Sequence, residues 1–128
     1  MHNLYREYIL EHYKHPQNFG HLHKKDISVD ERNSTCGDTL HLEIRFNTQG
    51  SVEDIAFTGD GCAISRASTS LLTEAVKQKT KKEIAQLTHK EVYDLLGVPI
   101  SPGRAQCALL PLQALRKVLQ VDPQRKKL

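Results

Sequence analysis

The spacing of apolar residues changes from strand-like to helical at the segment Gly59–Cys62 of this chain of 128 residues. Between Thr39 and Phe46, apolar and polar residues alternate strictly, which is typical of a strand with one buried face. From Ile64 to Val76, apolar residues recur every three or four positions, which is typical of an amphipathic helix. Strands followed by helices predict an α+β domain.

Three segments before the change have the composition of strands, namely Ile27–Asn33, Thr39–Phe46 and Val52–Thr58. The turn sequence at 47–50 joins the last two as a hairpin. We therefore predict a three-stranded antiparallel sheet whose middle strand is half-buried. Its apolar face carries Leu40, Leu42, Ile44 and Phe46, and its polar, solvent-directed face carries His41, Glu43 and Arg45.

Helices account for most of the remaining chain. Apolar and aromatic residues between Leu4 and Tyr13 recur at helical spacing, and Pro16 ends that segment. Capping boxes at 80–83 and 88–91 each predict the start of a short helix. The sequence thus predicts four or five helices packed on the sheet.

The last helix is predicted to begin close to Cys107 or Ala108, because Pro111 is expected only in the first turn of a helix. Cys62, after the Gly59–Gly61 turn, is likewise predicted at a helix N-terminus. Unpaired N–H groups and the positive end of the helix dipole favour a thiolate at such a place.

Composition and charge exclude several classes of protein. The apolar fraction is 38%, charged residues make up 26%, and the net charge is +3. Basic clusters lack interleaved aromatic residues, so no nucleic acid partner is expected. No signal sequence or long apolar run is present, so we expect no membrane partner and a cytoplasmic location. We predict a single domain over residues 1–121 and a disordered basic tail over 122–128.

The chain has three cysteines, an odd number in a sequence without an export signal. Metal binding or thiol chemistry is therefore favoured over a disulfide framework. Cys36, Asp38, Cys62 and Cys107 together form a donor set suited to tetrahedral zinc or to an iron–sulfur cluster. Spacing alone leaves open that they are unrelated buried thiols.

Other ligands and chemistries remain open from the residues alone. His41 and His89 are alternative metal ligands, and the loop with His15, His21 and His23 is a further metal-binding candidate. The same His41 or His89 is the candidate base of a thiol enzyme. A zinc-stabilised protein-interaction module without sulfur chemistry is the main alternative function.

Four motifs, in order along nearly the whole chain, resemble the NifU-N/IscU/SufU family of iron–sulfur cluster assembly proteins. They are the segment from Leu4-Tyr5 to Gly20, Asn33-Ser-Thr-Cys36-Gly-Asp38, Gly59-Asp-Gly-Cys62-Ala-Ile-Ser65-x-Ala-Ser68-x-Ser70, and Arg104-x-x-Cys107-Ala. The resemblance implies a SufE/NifU-like fold, a three-stranded sheet with helices packed on it.

By motif position, the resemblance implies Cys36, Asp38, Cys62 and Cys107 as ligands of Zn²⁺ or of a transient [2Fe–2S] cluster. It implies a SufS- or IscS-like cysteine desulfurase and iron–sulfur acceptor or carrier proteins as partners. A scaffold is not an enzyme, whereas a sulfur relay would be a zinc-dependent sulfurtransferase acting with the desulfurase.

The motif wording is nearest to the SufU type, but the interval between Cys62 and Cys107 has IscU length and lacks a SufU-type segment. In an IscU-type protein His precedes the third cysteine, and here Gln106 stands there. Cys36 is the predicted persulfide acceptor in the SufU manner and Cys107 in the IscU manner. Arg104 is predicted to steer the anionic persulfide.

Overall fold

Strands and helices follow one another as the change in apolar spacing predicts. The computed structural model describes residues 2–34 and 37–121, with side chains from Arg6 onward. The elements are α1 (His2–Lys14), β1 (Ile27–Arg32), β2 (Thr39–Phe46), β3 (Val52–Thr58), α2 (Ala63–Ala75), α3 (Lys81–Ala85), α4 (His89–Leu96), a 3-10 turn (Pro102–Arg104) and α5 (Ala105–Val121). The prediction of an α+β domain with four or five helices is confirmed, since the described residues form five α-helices. Among the described residues, no helix combines the length and apolar character that a membrane span requires.

The sheet is an antiparallel meander with the order β1-β2-β3. Val29 lies opposite Leu42, which lies opposite Phe57, so the apolar sides of all three strands share one face. The helices bury this face, and the core also includes Leu72 of α2 and Leu112 of α5. The two short helices begin at capping boxes, as predicted, at Thr80 and Thr88.

The face of β2 that points away from the core is covered by protein at Glu43, although the sequence predicted that this face is exposed to solvent. Glu43 is only 2% exposed. The segment after α1 pairs with the edge strand, since Phe57 N–H donates to Asn18 O at 2.9 Å and Gly20 N–H donates to Phe57 O at 2.8 Å. It then crosses β2, where Leu22 N–H donates to Glu43 Oε1 at 2.8 Å. The prediction of an open polar face is therefore wrong at Glu43.

The prediction that Pro111 lies in the first turn of the last helix is also wrong. α5 begins at Ala105 and Pro111 lies inside it. A proline here removes the N–H that would donate to the carbonyl of Cys107, one turn earlier. Pro111 is buried in the helical layer, so packing offsets the lost hydrogen bond.

Candidate metal centre

Three chain segments meet beyond one end of the sheet: the loop before β2, the loop after β3, and the first turn of α5. They bring the carboxylate of Asp38 and the thiols of Cys62 and Cys107 together. One ligand atom from each residue lies within 4.8 Å of the other two. Such a spacing allows a single metal ion to contact all three side chains.

Cys62 is the N-cap residue of α2, as the sequence predicted, and its side chain makes no capping hydrogen bond. The preceding turn fixes its position. Gly59 has a φ of +145°, and a Cβ there would overlap the carbonyl oxygen of Thr39. Asp60 O accepts a hydrogen bond from Thr39 N–H at 2.8 Å, which ties this turn to the start of β2 and so to Asp38.

Cys107 lies in the first turn of α5 and is 3% exposed. The Nδ2 amide of Asn33 donates to its Sγ at 3.7 Å. One residue further, Ala108 O accepts a 2.6 Å hydrogen bond from the Ser68 hydroxyl of α2. This buried bond joins α2, whose N-cap is Cys62, to the start of α5 beside Cys107.

Asp38 makes this cluster a candidate site for a cation. The residue is 7% exposed. Its Oδ2 atom is buried and has no hydrogen-bond partner in the described part of the chain. An unpaired buried carboxylate oxygen costs free energy unless a cation or donor meets it. Two sulfur atoms and this oxygen fit zinc or iron.

The other predicted site residues are placed as follows. Cys36 lies outside the described residues. Arg104 is exposed in the 3-10 turn immediately before α5. His89 is exposed at the start of α4 and belongs to no metal-ligand group among residues 2–34 and 37–121. His41 belongs to a group of its own, away from the cysteines.

That second group consists of His21, His41 and Glu43. Burial alone would raise the pKa of Glu43, but the Leu22 N–H, His21, His41 and Lys25 together lower it to about 2. The hydrogen bond to Asp30 raises the pKa of His41 against the effect of burial. Strand alternation already placed His41 and Glu43 on one face. Nothing in the sequence indicated that His21 meets them, because that contact depends on the path of a loop.

The fold and the cluster of two cysteines and one aspartate define a small α+β domain with a candidate site for a metal ion or cluster at helix N-termini. Residues 4–127 match the model of the NifU-like N-terminal domain, and the chain belongs to this family. The predicted family resemblance is thereby confirmed.

Relatives of two types resemble the chain to a similar degree. The zinc-dependent sulfurtransferase SufU of Bacillus subtilis is 38% identical, over 89% of this chain and 88% of that protein. The iron–sulfur cluster assembly scaffold protein IscU of Haemophilus influenzae is 33% identical, over 90% of this chain and 92% of that protein. A solved structure described as a candidate scaffold for the SUF system, from Fervidobacterium islandicum, superposes with a TM-score of 0.75 at 27% identity. It covers 91% of this chain and 96% of its own.

Proposed function

We propose that this chain acts in iron–sulfur cluster assembly, by holding Zn²⁺ or a nascent [2Fe–2S] cluster and receiving sulfur from a cysteine desulfurase. The observation that carries the proposal is the cluster of Asp38, Cys62 and Cys107 within 4.8 Å, with the Asp38 Oδ2 atom unpaired among the described residues. Both named relatives support it, since one is a sulfurtransferase and the other a cluster scaffold. We place this activity in the cytoplasm.

Cys36 is proposed as the fourth ligand, because it precedes Asp38 by two residues in the sequence. Three thiolates and one carboxylate suit Zn²⁺, which when bound would keep the thiols deprotonated. The same donors suit the iron of a cluster, which is the product being assembled. A single carboxylate exchanges more readily than a thiolate, and this favours release of the product.

Sulfur transfer needs only a thiolate at the acceptor cysteine. The thiolate attacks the outer sulfur of the desulfurase persulfide, so that a new S–S bond forms while the desulfurase S–S bond breaks. The desulfurase cysteine leaves as a thiolate, and no net oxidation or reduction occurs. Cys36 is the proposed acceptor for a relay and Cys107 for a scaffold. Arg104, exposed one turn before Cys107, is proposed to attract the anionic persulfide.

Metal analysis followed by anaerobic reconstitution tests the proposal and separates its two forms. The protein is purified, its zinc and iron are measured, and it is then incubated with iron and sulfide. Tightly held zinc without a cluster chromophore indicates a relay, and a stable thiolate–iron spectrum indicates a scaffold. Absence of both, in a folded protein, would refute the proposal.

A second experiment addresses the acceptor. Cys36→Ala is assayed for stimulation of a cognate cysteine desulfurase, beside a variant of an exposed residue two positions earlier in the sequence, Ser34→Ala. Loss of stimulation in Cys36→Ala alone is expected for a relay through Cys36. Stimulation equal to that of Ser34→Ala would eliminate Cys36 as the acceptor and direct attention to Cys107.

Thiol alkylation distinguishes this function from a zinc-stabilised interaction module. A purely structural zinc site is coordinatively closed and protects its thiols while metal is bound. In the proposed function the acceptor thiol leaves the metal to receive sulfur, so it remains reactive in the zinc-loaded protein. Full protection until zinc is removed would favour the interaction module.

A further inference from the structure

A second group of metal-ligand side chains lies on the sheet face opposite the helices, separate from the cysteines. Its members are His21 from the loop after α1, and His41 and Glu43 from β2. Glu43 is buried, the His41 side chain is 30% exposed, and the His21 side chain is 65% exposed. The group is therefore anchored in the fold on one side and reachable from solvent on the other.

The two oxygens of Glu43 have different surroundings. Oε1 accepts the Leu22 N–H at 2.8 Å, which fixes the carboxylate plane. Oε2 lies 2.9 Å from His21 Nδ1 and 2.9 Å from His41 Nε2. Three ligand atoms thus converge, with one carboxylate oxygen between two imidazole nitrogens, in a part of the protein that no step of sulfur transfer uses.

His41 is oriented by a second carboxylate. Its Nδ1 lies 2.9 Å from Asp30 Oδ1 on the neighbouring strand, where Asp30 is the register partner of His41. A histidine that donates through one nitrogen to a carboxylate directs the other nitrogen at a fixed target, and this is the usual arrangement behind metal-bound histidines. Here the other nitrogen is Nε2, which points at Glu43.

We propose that His21, His41 and Glu43 bind a first-row divalent metal ion, such as Zn²⁺, at a site independent of the cysteines. Two imidazoles and one carboxylate suit borderline divalent ions and leave coordination positions for water. A tetrahedral ion with bonds of about 2.0–2.1 Å separates its ligands by about 3.3 Å. The 2.9 Å contacts need to open by only a few tenths of an ångström, which the exposed His21 allows.

Lys25 competes for the same carboxylate. Its ammonium lies 3.7 Å from Glu43 Oε2, on a side chain that is 47% exposed. The bound ion has to displace this positive charge toward solvent. Removal of Lys25 should therefore strengthen metal binding, whereas removal of a ligand should weaken it. These opposite effects on metal affinity are the most specific test of the site.

Titration of the chelator-treated full chain with Co²⁺ tests the proposal, because thiolate ligands give a cobalt charge-transfer absorption that imidazole and carboxylate lack. We expect two classes of bound ion. Ions of the first class give the thiolate absorption. Ions of the second class perturb the imidazole NMR signals of His21 and His41 and do not increase the thiolate absorption. Cys62→Ser should remove or alter the first class and leave the second, so failure of the thiolate site and failure of this site are separable.

Four variants test which residues bind the ions of the second class, through their effect on metal affinity. His21→Ala, which changes an exposed side chain, should weaken it more than 100-fold. Asp30→Asn should weaken it about 10-fold to 100-fold, as expected for a group that orients a ligand. Lys25→Met should strengthen it. His23→Ala, an exposed histidine of the same loop, is the matched control and should change nothing.

Two results would overturn the proposal. The first is a wild-type titration in which every bound ion gives the thiolate absorption. The second is a non-thiolate ion that His21→Ala and His23→Ala retain equally, since that ion would lie elsewhere on the protein.

Discussion

Replacement of Asp38 by alanine should stabilise the metal-free protein and destabilise the zinc-loaded one relative to wild type. In the metal-free protein, the buried Oδ2 atom has no partner among the described residues. Burial of an unsatisfied polar group costs about 1–3 kcal/mol, and alanine removes that cost. Alanine also loses the packing contacts of the Asp38 side chain, which removes part of this gain in stability. We therefore expect a net increase in unfolding free energy of about 1–2 kcal/mol.

Zinc should reverse the order. Ligand binding to the folded state adds RT ln(1 + [L]/Kd), about 2.7 kcal/mol when free zinc is 100 times Kd. Wild type receives this increment through the complete ligand set, whereas Asp38→Ala lacks one ligand and receives less. The two denaturation curves should therefore exchange places between chelator and saturating zinc.

Thermal and denaturant unfolding of both proteins, with chelator and with zinc, provide the measurement. For a chain of this size, 1 kcal/mol corresponds to about 3–4 °C in Tm. Asp60→Ala, an exposed aspartate of the adjacent loop, is the control and should change neither state by more than about 0.5 kcal/mol. An Asp38→Ala protein less stable than wild type in chelator would refute the inference that Asp38 is held for a cation.

Three further predictions concern the stability of the fold around the two sites. In chelator, wild type should lose its stability advantage over Glu43→Gln as the pH falls from about 4.5 to about 2. The pKa of Glu43 is depressed in the folded state, so the stability that its ionised form contributes, at most about 3 kcal/mol, is complete only above the pKa of the unfolded state. Acid titration followed by circular dichroism checks this, and a pH-independent difference between the two proteins would contradict it. Gly59→Ala should cost more than about 2 kcal/mol in denaturant unfolding, because of its positive φ and the overlap with neighbouring backbone, whereas Gly103→Ala, which meets open space, should be neutral. Leu72→Ala should cost about 2–5 kcal/mol at a fully buried position, and a cost no larger than that of the exposed Leu10→Ala would argue against the described core.

The positions of Cys62 and Cys107 near helix starts were predictable, because the signals that locate them are local. The Gly59–Gly61 turn and the change of apolar spacing placed Cys62 at a helix start, and the structure has it as the N-cap. Cys107 was placed at a helix start by an incorrect rule about Pro111, and the helix begins two residues earlier. The close approach of Asp38 was inferred from donor chemistry and family resemblance, since no local pattern brings a loop to two distant helices.

Glu43 shows where local patterns stop being informative. Alternation correctly assigned it to the face of β2 opposite the core, and ordinary expectation then puts a glutamate in solvent. The loop through Leu22 covers that face, and the path of a loop cannot be predicted from a periodic pattern of apolar residues. A buried carboxylate with three donors on its two oxygens is therefore a tertiary feature that only the structure reveals.

Pro111 has a consequence for the local stability of the turn that carries Cys107. Because proline has no N–H, α5 loses the hydrogen bond from position 111 to the carbonyl of Cys107. Residues on both sides of the proline, such as Leu110 and Leu112, are nevertheless buried in the core. The missing hydrogen bond therefore lowers the free-energy cost of opening this turn, while side-chain packing holds it in place in the folded domain.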